Sequence, residues 1–143
     1  MRTQAILLVE DDGNDVDMAL WAFNQVNLDA SIIVAQNGTE ALELLLPVDR
    51  GHRLRPAMVL LDINVPGMGE LHFLEHLRAD PETKTLPVVV LTSSCADRDR
   101  IESFKLGANG YIQKPTSSAE FLHVAKSIGA FWLGVNLNPS SEN

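Results

Sequence analysis

Short apolar runs recur along the chain, separated by stretches in which apolar positions fall three and four apart. Ala5–Val9, Ser31–Val34, Ala57–Leu61, Val88–Leu91 and Gly110–Ile112 are mostly rich in Val, Ile and Leu and show no polar alternation. Runs of this kind predict strands covered on both faces, as in a parallel sheet. Between them Val16, Ala19, Leu20, Phe23 and Val26 repeat at helical spacing. So do Leu71, Leu74 and Leu77, then Ile101, Phe104 and Ala108, then Phe121, Val124, Ala125, Ile128 and Trp132. Ala41, Leu42 and Leu45 mark a shorter helix after Asn37-Gly38. The order is β-α five times over. Parallel strands joined by right-handed helical crossovers give a doubly wound α/β fold, a (βα)5 three-layer sandwich around a five-stranded parallel sheet. The long irregular connection, Pro47 to Pro56, is too short to be a domain. The polar ending 136–143 is expected to be a tail, which leaves residues 1–135 as one domain.

Composition narrows the classes of function. The 143 residues carry 11 basic and 19 acidic side chains, a net charge of −8. That balance argues against a nucleic-acid-coating surface, which needs clustered Lys and Arg to displace counterions. A single cysteine, Cys95, excludes an intramolecular disulfide and any multi-cysteine metal site. The residues before Glu10 are too few and too weakly apolar for a signal peptide, and no run approaches a membrane span. A cytoplasmic protein without membrane contact is the expectation.

Ligands of open α/β sheets bind at the carboxyl ends of the strands, where strand order reverses. The first strand there ends in Glu10-Asp11-Asp12, the third in Asp62, the fourth in Thr92-Ser93-Ser94 and the fifth in Gln113-Lys114-Pro115. Carboxylates, a hydroxyl and an ammonium are thereby aimed at one rim. Crowded acids repel and drive one another to protonate unless a cation compensates. A hard divalent ion such as Mg²⁺ suits them, because it prefers oxygen ligands and keeps several waters. A carboxylate beside that ion is a nucleophile toward a phosphoryl group, with the lysine and hydroxyl stabilising its oxygens.

The pieces Val9-Glu10-Asp11, Leu61-Asp62-Ile63-Asn64-Val65-Pro66, Val90-Leu91-Thr92-Ser93 and Gly107 through Pro115 stand in the order, and on the elements, of a response-regulator receiver domain. The chain resembles that family over nearly its whole length, which implies a flavodoxin-like fold and a phosphoacceptor. By this resemblance Asp62 accepts a phosphoryl group from a histidine kinase. Asp11, Glu10, Asp62 and the backbone carbonyl of Asn64 hold Mg²⁺, or Mn²⁺. Thr92 and Lys114 meet the phosphoryl oxygens, Tyr111 turns as the signal leaves, and the Lys114–Pro115 peptide is cis. Such a protein is a regulator rather than an enzyme acting on other molecules. The long Pro47–Pro56 connection and the ending Ile128 to Leu133 resemble single-domain regulators paired with bacterial phytochrome kinases. That implies a bacteriophytochrome partner and a homodimer. One departure is Gly69-Glu70, where receivers usually place the acid before the glycine.

Other readings compete at several residues. Asp12 before Gly13 reads as a helix cap, but a cap does not explain Asp62 on another strand. A phosphatase with an aspartyl nucleophile would carry a second acid two residues after Asp62, and this chain has Asn64. A receiver-like scaffold without phosphoryl chemistry need not retain Asp11, Asp62, Thr92 and Lys114 together. His72 and His76 lie four apart, yet Leu71, Leu74 and Leu77 define the buried stripe and leave both histidines solvated. Phe131, Trp132 and Leu133 either close the core or form a self-association surface, and their continuation through Val135 favours the surface.

Overall fold

A computed structural model of the chain describes residues 4–26, 30–62, 70–92 and 107–130. Five strands are described: β1 (Gln4–Val9), β2 (Ala30–Ala35), β3 (Met58–Asp62), β4 (Val88–Thr92) and β5 (Gly110–Gln113). They pair in parallel in the order β2-β1-β3-β4-β5. This is the doubly wound, flavodoxin-like order, and its reversal lies between β1 and β3. The described helices are α1 (Gly13–Val26), α2 (Gly38–Leu45), α3 (Glu70–Ala79) and α4 (Ser118–Ile128), with a 3₁₀ turn at Arg50–His52 in the long connection before β3.

Side-chain parity along the strands splits the core into two layers. Leu7, Val9, Val59, Leu61, Val88 and Val90 pack with Ala41 and Leu45 of α2 and Phe73, Leu74 and Leu77 of α3. The opposite parity, Ile6, Leu8, Met58, Leu60, Val89 and Leu91, packs with Ala19, Ala22 and Phe23 of α1 and Phe121, Ala125 and Ile128 of α4. Each fully buried Leu, Ile or Phe contributes about 1.5–3 kcal/mol relative to exposure, so both layers are needed to hold the sheet. The stripe expected on α1 needs one correction. Leu20 is exposed, as is Trp21, and Ala22 is buried beside Phe23 instead. Small alanines let α1 sit close to the sheet, and the larger leucine is turned outward.

The helix starts follow local chemistry. Asp12 Oδ1 accepts from the N–H groups of Asn14 and Asp15 at 2.8 and 3.1 Å. Asn37 Oδ1 accepts from Glu40 N–H at 2.8 Å. Ser117 Oγ accepts from Glu120 N–H at 3.2 Å, while the Glu120 carboxylate accepts from Thr116 N–H at 2.8 Å. The last is a capping box that stretches one residue beyond the cap.

At the amino ends of the strands, Arg78 closes α3 onto the segment leading into β5. Its guanidinium donates to the carbonyls of Gly107, Thr83 and Lys84 and to Asn109 Oδ1, at 2.6–3.1 Å. Asn109 Oδ1 also accepts from Val88 N–H at 2.9 Å, so this bracket ties β4 to β5. Gly107 has φ +104°, and a Cβ there would lie 2.6 Å from Arg78 Nε. Nearby, Arg50 pairs with Asp80 and Arg53 with Glu82, each at 3.0 Å. These ion pairs pin the long connection to the turn before β4. The helix expected on Ile101 and Phe104 lies outside the described residues, and Ala108 is buried but not helical.

Candidate functional site

Strand register brings the expected residues to one rim. Val9 pairs with Ala35 and Leu61, Asp62 with Leu91, and Thr92 with Gln113. Glu10, Asp62 and Lys114 are all even-numbered, like Ile6, Leu8, Leu60 and the Ile112 that packs in their layer. Parity therefore aims them toward the side of the sheet where α1 begins.

The resulting cluster is tight. Glu10 is 2% exposed and Asp62 1% exposed. Oxygens of Glu10, Asp11 and Asp62 all lie within 4.8 Å of one another. The Lys114 ammonium stands 2.6 Å from Asp62 Oδ2 and 3.2 Å from Glu10 Oε1. It also stands 2.8 Å from Asp15 Oδ2.

The electrostatics follow from burial and crowding. Burial pushes the Glu10 carboxyl up to about 8, and the hydrogen bond and negative charge of Asp62 add to this. The Asp12 N–H and the Lys114 charge oppose the rise without cancelling it. For Lys114 burial pulls downward. Hydrogen bonds to Asp15 and Asp62, with the charges of Asp62 and Glu10, outweigh it and hold the ammonium above the usual lysine range. A rim that keeps a carboxyl protonated near neutral pH has more acid than its cation neutralises. Three oxygen donors from carboxylates, one of them exposed, suit a hard divalent cation.

Glu10, Asp11, Asp62 and Lys114 meet here as expected, and one expectation needs correction. No peptide bond among the described residues is cis, so Lys114–Pro115 is trans. The four-carbon arm of Lys114 reaches Asp62 from that backbone, so a cis bond is not required to place the ammonium. Thr92 ends β4 and Tyr111 lies in β5, but their side chains, like Asn64, Gly69, Cys95, Phe131, Trp132 and Leu133, lie outside the described residues. His72 and His76 are exposed, and His76 Nδ1 lies 2.8 Å from the His72 carbonyl within α3. Asp15 joins the cluster without a distinguishing signal in the sequence, where it reads as an ordinary first-turn acid.

The profile of the response regulator receiver domain matches residues 6–126. The chain is 32% identical over 134 residues to the probable methanogenesis regulatory protein FilR2 of Methanothrix harundinacea, covering 94% of this chain and 86% of that one. It is 30% identical over 131 residues to response regulator Rcp1 of Synechocystis, covering 91% and 89%. A crystal structure of the Mn²⁺-bound form of Rcp1 superposes with a TM-score of 0.83 over 95% and 99% of the two chains. The crystal structure of the phosphorylated cyanobacterial phytochrome response regulator RcpA superposes with a TM-score of 0.86. It covers 96% of this chain and 99% of that one at 29% identity.

Proposed function

Because this chain belongs to the response-regulator receiver family, we propose that it is a phosphoacceptor regulator whose Asp62 is phosphorylated by a sensor histidine kinase. The observation that carries this reading is a buried strand-end aspartate with an ammonium at 2.6 Å and two further carboxylates converging on it.

The chemistry assigns each group a task. An Asp62 carboxylate oxygen attacks phosphorus, the P–N bond to the kinase imidazole breaks, and the imidazole leaves with the electron pair and gains a proton. Water later attacks phosphorus, the bond to Asp62 oxygen breaks, and inorganic phosphate departs. Lys114 and the Thr92 hydroxyl take the phosphoryl oxygens, and Tyr111 follows Thr92 to change the outer surface of β5. Glu10, Asp11, Asp62 and the Asn64 carbonyl would hold Mg²⁺, or Mn²⁺, which when bound supplies positive charge to the phosphoryl oxygens. The protein's own chemistry is confined to gaining and losing this group.

Similarity to a phytochrome response regulator supports a bacteriophytochrome as the kinase. No described helix is long and apolar enough to cross a membrane. The apolar ending at Phe131, Trp132 and Leu133 supports a homodimer as the output. Sedimentation of wild type and Trp132→Ala tests that last point, and a monomeric wild type at tens of micromolar would refute it.

The function itself is tested by mass analysis after treatment with acetyl phosphate and Mg²⁺. Wild type gains one labile phosphate, and Asp62→Asn gains none while keeping its fold. An unlabelled wild type, or a labelled variant, would overturn the assignment.

A further inference from the structure

We propose that Asp15 is a positioning residue that keeps the Lys114 ammonium in place for the phosphoryl group, a reading that rests on Asp62 being the phosphoacceptor. Asp15 Oδ2 lies 2.8 Å from Lys114 Nζ, and the two side chains are 18% and 15% exposed. The carboxylate springs from a fixed origin. Asp15 is the third residue of α1, and its own N–H is held by the Asp12 cap.

An unrestrained lysine arm has many rotamers to lose when it is ordered, so an ammonium needed at one point must be tied there. In the resting protein Glu10, Asp15 and Asp62 all tie it. Glu10 and Asp62, however, belong to the three converging carboxylates that would turn to a metal, and Asp62 is itself consumed by the phosphoryl group. Asp15 is outside that trio and on a helix. It can therefore keep its bond to Lys114 throughout the cycle. An ammonium has three donors, enough to hold Asp15 and still meet a phosphoryl oxygen.

Two simpler roles for Asp15 make different predictions. As a first-turn acid only, it would stabilise α1 through the helix dipole and nothing more. As a nearby negative charge only, it would repel an anion arriving at Asp62, so its removal would strengthen anion binding.

Beryllium trifluoride, an anionic phosphoryl analogue, separates these roles when titrated at saturating Mg²⁺ and followed by ¹⁹F NMR, with thermal melts run alongside. Asp15→Asn is expected to bind it roughly tenfold more weakly, the equivalent of one charge-assisted hydrogen bond. Asp15→Glu, which keeps the charge, is expected to recover most of that loss. Equal or tighter binding by Asp15→Asn overturns the proposal, as does a drop in melting temperature with analogue affinity unchanged. Lysine-selective ¹⁵N NMR on wild type gives a check that needs no variant. The Lys114 ammonium signal should stay protected from exchange in the analogue complex, and its disappearance would also overturn the proposal. A wild type that binds no analogue would instead refute Asp62 as phosphoacceptor, and this inference with it.

Discussion

At each end of the sheet a cation is held by several oxygens at once, but the oxygens differ in kind. At the carboxyl ends Lys114 lies among the carboxylates of Glu10, Asp15 and Asp62. At the amino ends Arg78 lies among the carbonyls of Thr83, Lys84 and Gly107 and the amide oxygen of Asn109. Neutral oxygens cannot repay the burial of a charge as fully as anions do, and burial accordingly lowers Arg78 below its usual value while Lys114 is raised. Carbonyls do not titrate and have no competing ligand, so the Arg78 bracket is a fixed tie. Carboxylates repel one another, exchange partners and accept metal or phosphoryl groups, so the Lys114 cluster is poised to change. The same fold thus puts a lock at one edge of its sheet and a reactive centre at the other.

The sharpest way to break this contrast is to remove each cation in turn. Lys114→Ala should slow phosphorylation by acetyl phosphate roughly a hundredfold, as for loss of one preorganised charge at a developing anion. It should also make the melting temperature depend more strongly on Mg²⁺, which would then be needed to offset the acids. A phosphorylation rate near wild type would show that the lysine is only structural. Arg78→Ala should cost about 2–4 kcal/mol in urea unfolding, because several carbonyls lose their donor at once. Phosphorylation of the folded protein should be unchanged. A loss below about 1 kcal/mol would mean that water replaces the guanidinium.

Smaller effects sharpen the picture of the carboxylate end. Mg²⁺ at a hundred times its dissociation constant stabilises a fold by about 2.7 kcal/mol, and this rise in wild type should vanish in Asp11→Asn. A rise of equal size in the variant would place the ion elsewhere. A further effect concerns pH. Glu10 rises from 4.5 to about 8 on folding, so the folded chain binds its proton more tightly than the unfolded one. Its contribution to stability is complete below about pH 4.5 and is lost as the pH climbs through 8. In EDTA the melting temperature should therefore carry a downward slope between pH 5 and 8 that Glu10→Gln flattens. An identical slope in the variant would assign it to another group.

Much of this was legible in the residues themselves. Each expected strand is present, and all but β3, which shifts one residue toward the carboxyl end, gain a residue or two. The added or shifted ends at Asp62, Thr92 and Gln113 are polar residues that an apolar run does not include. The convergence of Glu10, Asp11, Asp62 and Lys114 followed from the rule that strand ends share a rim. Asp15 was not legible, because its bond to Lys114 joins the start of α1 to the segment after β5, far away in sequence. The Arg78 bracket was hidden for a related reason, since its partners at Gly107 and Asn109 lie 29 and 31 residues away. Leu20 fitted the helical stripe by spacing, yet alanine at position 22 packs closer to the sheet. Spacing alone does not weigh side-chain volume.

The glycine at position 107 has a genetic consequence. Its backbone conformation strains any L side chain, and the space where that side chain would stand is filled by Arg78. A random library screened for soluble protein should return almost only glycine there. Suppressors of a Gly107→Ala lesion should be scarce at position 78 itself, since shortening the arginine clears the clash but leaves the strained backbone and discards the bracket. Rescue would have to come from distant substitutions that raise stability generally, and a suppressor screen would recover those global stabilisers in place of a matched local pair.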